Sequence, residues 1–373
     1  MSSTSELSGF AARLRESILM ATWEADFAAL ALQLFALQFQ HNAAYRRLCE
    51  ARGARPDTVA HWTAIPAVPT SAFKEFVLSC LPVAERTTVF HSSGTTGQQP
   101  SRHFHSARSL AVYEASLLRW FGAHCQGPRA KGQLALGPWP LAILTPPASQ
   151  APHSSLVYMF DTIRRQVGGA GSPFIGTATA DGVWTVNAEA TLARLKAASG
   201  SGEPLLMLGT AFSFVHLLDY LAEHDLRFEL PPGSCVLETG GYKGRSRSLA
   251  KPALHALITE HLGIPPDRIL CEYGMSELSS QAYDSKIAPS RATLHAPRSL
   301  RFPPWARVQI TSPETGREVS EGETGLIRVY DLANVYSVMA IQTEDLGVRH
   351  GDGFTLAGRA VLAEARGCSL LAV

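Results

Sequence analysis

Net charge is nearly absent from this chain: 33 Lys and Arg against 32 Asp and Glu leave +1 over 373 residues. So balanced a chain has no field with which to hold nucleic acid or an anionic membrane as its main partner, and any phosphate recognition must be local. Paired cysteines are missing too. Cys49, Cys80, Cys125, Cys235, Cys271 and Cys368 are scattered, without a Cys-x-x-Cys spacing or regular histidines beside them. Neither a disulfide framework nor a zinc site is indicated, and reduced thiols in a cytoplasm are expected. The amino terminus, Met1-Ser2-Ser3-Thr4-Ser5-Glu6-Leu7, has no basic region ahead of an apolar core, and the Ala/Leu-rich run near residue 30 is broken by glutamines and acids. No export signal and no membrane span are expected.

What is present is the composition of a soluble globular protein, 46% hydrophobic and 17% charged, long enough for one large α/β domain or two of ordinary size. Its most informative stretch is Val89-Phe90-His91-Ser92-Ser93-Gly94-Thr95-Thr96-Gly97-Gln98-Gln99-Pro100-Ser101-Arg102. Gly94 and Gly97 admit positive φ and close backbone approach, while the hydroxyls of Ser92, Ser93, Thr95 and Thr96 can donate to phosphate oxygens beside successive N–H groups. Arg102 offers a charge-assisted bond. Gln98 follows the second glycine, so the loop is not of the Walker type, which needs Lys-Ser/Thr there. An ordinary exposed Ser/Thr/Gly connection is the alternative.

Along the chain, helical spacing of Phe27, Leu30, Leu34 and Leu37, with Gln33, Gln40 and Arg47 off the stripe, predicts amphipathic helices from Glu6 to about Glu50. Ile65 to Phe76, with two prolines and Thr70-Ser71, predicts an extended piece capped into a short helix. A helix is expected from Ser106 to Phe121, and strands at Gln133-Leu134-Ala135-Leu136 and Leu141-Ala142-Ile143-Leu144. His153 and Ser154 sit in a polar elbow; His153 is either a structural hydrogen-bonder or a pocket residue. Residues 168–182 and 197–202, rich in small residues, read as flexible surface connections. A buried strand at 204–210 leads to a helix over Phe212 to Leu221. Strands at Cys235 to Thr239 and Ile269 to Tyr273 end in Gly240-Gly241-Tyr242 and in Gly274-Met275-Ser276-Glu277. The paired glycines let backbone lie flat on a planar ring, Tyr273 can stack on a base, Ser276 can bond phosphate and Glu277 can hold magnesium; a plain capped strand end is the alternative reading of that second tip. Alternating strands and helices imply a mostly parallel sheet. After about Arg301 the short strands and tight turns suggest a small β subdomain, a barrel. The expected organisation is a core over 1–300, that subdomain over 301–357, and a short tail over 358–373.

Ser92 to Arg102, Gly240-Gly241, Tyr273-Gly274-Met275-Ser276-Glu277, Thr343-Glu344-Asp345 and Gly358-Arg359 stand in the order and spacing of the adenylate-forming superfamily of acyl-CoA synthetases, peptide-synthetase adenylation domains and luciferases. Within it the chain resembles the acyl-protein synthetases of bacterial bioluminescence, through Pro66 to Lys74, Ser154 to Met159 and Arg366-Gly367-Cys368-Ser369-Leu370. It is also similar to short adenylating enzymes of antibiotic pathways, such as those that activate griseoluteate in phenazine biosynthesis. The resemblance implies an α/β fold with mostly parallel sheets flanked by helices, and a reaction in which a carboxylate and ATP, with Mg2+, give acyl-AMP and pyrophosphate. It implies that Ser92, Ser93, Gly94, Thr95, Thr96 and Gly97 hold the β and γ phosphates. Gly240, Gly241, Tyr242, Tyr273 and Gly274 would form the adenine slot. Ser276 would bond the α-phosphate, Glu277 would position magnesium, and Asp345 would accept from the ribose, with Arg359 nearby.

Three departures from the family pattern stand out. Ser101-Arg102 replaces the usual lysine, and Ser276 the usual threonine. The chain also has almost nothing after Gly358-Arg359, where relatives continue into a mobile domain that supplies a lysine, so lid closure in the usual way is not expected. Cys368 resembles the acyl acceptor of that branch, which would pass the acyl group to a partner reductase or carrier; an inert thiol is the alternative. His153, Ser154, Gly209, Phe212 and Ser213 are the expected pocket residues, leaving fatty and aromatic acids both open. A non-catalytic nucleotide- or acid-binding subunit, or a scaffold, is the rival class, and homo-oligomerisation stays open.

Overall fold

A computed structural model of the chain describes residues 4–20, 22–92, 99–125, 139–169, 171–180, 182–242, 246–284 and 298–360. The chain opens with α1 (Thr4–Leu19), α2 (Phe27–His41) and α3 (Ala43–Ala51). Asp26 starts α2 by accepting from Ala28 N at 2.9 Å, and Asn42 starts α3 by accepting from Tyr45 N at 3.1 Å. The buried stripe of α2 is Phe27, Ala31, Leu34, Phe35 and Gln38. It is rotated from the expected stripe and holds a glutamine, for a reason that emerges below. Next come β1 (Val68–Pro69) and α4 (Ala72–Glu75), the extended piece and short helix expected, although Ser71 makes no side-chain capping bond. The strands β2 (Thr88–His91) and β3 (Arg102–His105) pair antiparallel, His91 opposite Arg102, and α5 (Ala107–His124) follows.

The middle of the chain alternates strand and helix: β4 (Leu141–Ile143), α6 (Ser155–Val167), β5 (Gly176–Ala178), β6 (Trp184–Val186), α7 (Ala188–Ser201), β7 (Leu206–Thr210), α8 (Ala211–Glu223), β8 (Cys235–Thr239), α9 (Lys251–Leu262) and β9 (Ile269–Tyr273). The last part is β-rich, with β10 (Ala282–Tyr283), β11 (Ala306–Thr311), β12 (Thr324–Asp331), β13 (Ala340–His350) and β14 (Gly353–Arg359). Two of the surface connections expected from composition are structured instead. Gly176–Ala178 pairs with Trp184–Val186 as a hairpin, and residues 197–201 complete α7, which Gly202 ends at φ +73°. Small residues at a helix end read like a loop because Ala and Ser serve both. The strand expected at Gln133 to Leu136 lies outside the described residues.

Two compact units result, Met1–Leu117 with Met275–Ala282 and His295–Val373, and Leu118–Gly274 with Tyr283–Leu294. In the first, β12 pairs antiparallel with β11 and with β13, whose other side carries β14 antiparallel and β1 parallel. Among the described residues this is an open sheet, not the barrel expected. Short strands with tight turns are common to both, and only the pairing partners, here including β1 from far upstream, separate them. In the second unit β4, β7, β8 and β9 form a parallel sheet in that order. Every residue of β7, β8 and β9 is buried, as continuous apolar runs covered on both faces require. Phe214, Leu218, Ile258 and Leu262 from α8 and α9 pack on Met207, Val236 and Ile269. The five described cysteines are free thiols, and among the described residues no helix is long and apolar enough to cross a membrane.

Gly209, expected to line a pocket, sits at the centre of this packing: a Cβ there would lie 3.0 Å from Phe214 Cε2 and 3.2 Å from Leu144 Cβ. Gly209→Val is expected to destabilise the fold by about 1–3 kcal/mol through overpacking, read by urea denaturation. Unchanged stability would instead place Gly209 against open space.

Candidate active site

The β2–β3 hairpin carries the loop singled out in the sequence. Ser101 N donates to Ser92 Oγ at 3.0 Å and Ser92 N to Ser101 O at 3.4 Å, closing the base of the loop. Ser93, Gly94, Thr95, Thr96 and Gly97 lie outside the described residues. Side chains alternate along a strand, so Ser101, His103 and His105 share one buried side and Arg102 the other. Arg102 therefore turns away, its Nη2 donating to Lys74 O at 3.3 Å.

Ser101, on the opposite side of the strand, reaches Glu277. Its hydroxyl donates to Glu277 Oε1 at 2.5 Å and lies 3.5 Å from Ser276 Oγ, while Ser276 Oγ donates to Glu277 Oε2 at 2.9 Å. Both oxygens of a buried carboxylate are thus met by hydroxyl donors. Burial nevertheless holds the Glu277 pKa above the ordinary carboxylate value, against the pull of Ser101, Ser276 and Arg359. His103 Nδ1 lies 2.8 Å from Ser276 O. A carbonyl only accepts, so Nδ1 carries the proton. Burial lowers the His103 pKa to about 4 and keeps the ring neutral near pH 7. His105 is held neutral in the same way, with its ring centroid 4.2 Å from that of His103. Asn334 Nδ2 donates to Glu277 O at 2.8 Å, completing the support from the far side.

Also in the first unit, Asp345 on β13 faces Arg359 on β14, with Arg359 Nε 3.6 Å from Asp345 Oδ1 and Arg359 Nη2 3.6 Å from Glu344 Oε2. Arg359 is largely exposed, so these pairs add little stability and leave the guanidinium accessible. The donors around Glu277 are all oxygens, one carboxylate and two hydroxyls, which suits a hard cation such as Mg2+. That ion is commonly bound by one or two carboxylates plus substrate phosphates, not by an all-protein cage. Among the described residues no group of three or more His, Cys, Asp or Glu could hold a metal ion.

In the second unit the carboxyl ends of β8 and β9 carry a separate set of groups. Gly240 has φ +70°, a backbone state that ends β8 and that glycine adopts without strain. Beneath it Thr239 Oγ1 donates to Glu272 Oε2, and burial raises the Glu272 pKa to about 7. Lys251 Nζ lies 3.2 Å and His255 Nε2 3.3 Å from Glu238 Oε1. Burial opposes the Glu238 charge, but His255 and Lys251 bring its pKa below the ordinary value. Tyr273 is buried at the end of β9, and Tyr242 is half-buried. Gly274 closes this unit, and the next residue, Met275, belongs to the first.

The expected acid-pocket residues are placed unevenly. His153 is exposed; Ser154 caps α6 by accepting from Val157 N at 3.2 Å. Phe212 and Ser213 are buried at the start of α8, where Thr210 Oγ1 and Ser213 Oγ lie 2.6 Å apart. Cys368 lies outside the described residues. Ser101 and His103 were missed in the sequence, although the alternation Ser101-x-His103-x-His105 before a helix was a readable signal. Asn334, Glu238 and Glu272 had none beyond being polar in apolar surroundings.

A solved structure of 2-hydroxyisobutyryl-CoA ligase in an open conformation with 2-HIB-AMP and CoA matches with a TM-score of 0.62 at 15% identity, covering 87% of this chain and 74% of that one. The same ligase in its postadenylation state matches with a TM-score of 0.63 at 15% identity, over 89% and 67% of the two chains. The mixed α/β architecture is shared with that ligase. The profile of the family "Acyl-protein synthetase, LuxE" matches residues 177–372, just over half of the sequence, and the chain belongs to that family. It is 24% identical to the long-chain-fatty-acid–luciferin-component ligase of Vibrio harveyi over 342 residues, 89% of this chain and 83% of that protein. The ligase of the same name from Aliivibrio fischeri is 23% identical over 322 residues, 86% and 78% of the two.

A neutral buried His103 makes the first unit sensitive to acid. The folded pKa is below the unfolded one, so stability is complete above about pH 6.5 and is lost as pH falls toward 4. Between pH 7 and 5, His103→Asn should lose about 2 kcal/mol less unfolding free energy than wild type, measured in urea. Equal losses would mean that His103 is protonated in the folded state.

Proposed function

We propose that the chain activates a carboxylic acid with ATP, giving acyl-AMP and pyrophosphate, and hands the acyl group to a thiol acceptor and then to a partner reductase. The single observation that carries this reading is the buried Glu277 carboxylate, gripped by Ser101 and Ser276 in a member of the acyl-protein synthetase family. In the first step a carboxylate oxygen of the acid attacks the α-phosphorus and the bond to the bridging oxygen of pyrophosphate breaks. No protein nucleophile is needed, and catalysis rests on positioning and on donors aimed at the phosphates.

Within the first unit, Ser92 and the following loop to Gly97 hold the β and γ phosphates, and Ser276 donates to the α-phosphate in exchange for its bond to Glu277. Asp345 accepts from the ribose hydroxyls, with Arg359 beside it. Arg102, at the end of the same hairpin, offers its guanidinium to the phosphates by exchanging its bond to Lys74 O. Within the second unit, Gly240, Gly241, Tyr242, Tyr273 and Gly274 receive adenine. Mg2+ held by Glu277 would offset the phosphate charge.

The curated relatives are named for a long-chain fatty acid, and that class is the proposed substrate. In the second step the Cys368 sulfur attacks the acyl carbon, AMP leaves, and the thiol proton is released to solvent.

Pyrophosphate release from ATP and Mg2+, run with medium- and long-chain fatty acids and with polycyclic aromatic acids, tests the reading. Fatty-acid-dependent release is expected to fall by at least about a hundred-fold in Glu277→Ala. Cys368→Ser should keep release but lose protein-bound acyl label. ATP binding with no release for any acid would favour a binding subunit, and release only with aromatic acids would overturn the substrate class.

A further inference from the structure

Gln38 is fully buried in the apolar stripe of α2, where a leucine would satisfy packing alone. Its amide is fully used on a distant segment. Nε2 donates to Asn334 O at 2.8 Å and to Val335 O at 3.2 Å, and Oε1 accepts from Met339 N at 3.0 Å. Asn42, at the end of the same helix, adds a bond from Nδ2 to Ser337 O at 3.4 Å. The segment so held then grips the chain around Glu277. Asn334 Nδ2 donates to Glu277 O at 2.8 Å and to Val338 O at 3.2 Å, and Asn334 Oδ1 accepts from Ser279 Oγ at 2.6 Å. Both side chains are neutral amides, so the linkage does not depend on titration.

We infer that Gln38 and Asn334 are positioning residues for Glu277, through which α2 fixes where that carboxylate sits. This rests on the adenylation reading of Glu277 and extends it to two residues that touch neither nucleotide nor acid. The physical reason is geometric. The turn 276–280 is held by His103 and Ser101 on one side and by Asp331 and Asn334 on the other, and Gln38 in turn bonds the backbone of 334–339 that carries Asn334. A shift of an ångström in a group that orders phosphates costs far more in turnover than in binding.

The test uses Asn334→Ala and Gln38→Met in the full chain, with folding checked by circular dichroism. Two readouts are taken: pyrophosphate release with the acid that wild type accepts, and amide hydrogen exchange by peptide. The expected result is kcat lower by about ten- to a hundred-fold with KM for ATP and acid within about two-fold. Exchange in 275–282 should be about ten-fold faster while 206–210 and 235–239 are unchanged. If Gln38→Met does not fold, Asn334→Ala alone decides. Turnover within about two-fold of wild type in Asn334→Ala, or exchange accelerated equally in every peptide, overturns the inference. Wild type that releases no pyrophosphate with any acid overturns the adenylation reading and the inference together, and differs from the former because it appears in the parent protein.

Discussion

A fully buried carboxylate, Asp331, is the constraint on which the first unit depends. At the end of β12 its Oδ2 accepts from Ser279 N at 2.9 Å and Ser280 N at 2.8 Å, and its Oδ1 from Ser280 Oγ at 2.7 Å and Ala333 N at 3.0 Å. Burial raises its pKa, and these donors act against that rise. A carboxylate withdrawn from water is tolerated only when its lone pairs are met, so the turn after Glu277 and the segment after β12 must be adjacent before either is stable. The same adjacency lets Asn334 reach Glu277 and Gln38 reach Asn334.

The two units solve the problem of holding charge in different ways. Around Glu277 the donors are neutral, the hydroxyls of Ser101 and Ser276 on its carboxylate and the amide of Asn334 on its carbonyl. At the ends of β8 and β9 Lys251 and His255 meet Glu238, while burial raises the Glu272 pKa to about 7. This second arrangement suits a rigid wall beneath Gly240 and Gly241, where paired groups keep the strand ends from moving.

Much of the fold was legible because it is local. Continuous apolar runs announced β7, β8 and β9, and helical spacing of apolar residues announced α2, α5 and α8. Misreadings arose where one composition serves two structures. Small residues at 197–201 belong to a helix end, and the short C-terminal strands pair with β1 and stay open. The order of the motifs pointed to Glu277 and Ser276, but not to Ser101 as a partner of Glu277. A strand puts neighbours on opposite faces, and composition does not tell which face meets the site.

The sequence by itself determined the class of chemistry: hydroxyls and glycines in one loop, paired glycines and a Tyr-Gly-Met-Ser-Glu tip at strand ends, and no charge excess to recruit a polymer. Those features are carried by neighbours along the chain, and local backbone rules suffice to read them. Only the tertiary structure decided that Ser101 faces Glu277, that Gly209 is packing, and that Gln38 belongs to the support of the site. Each of these depends on contacts between residues far apart in sequence, which no local periodicity encodes.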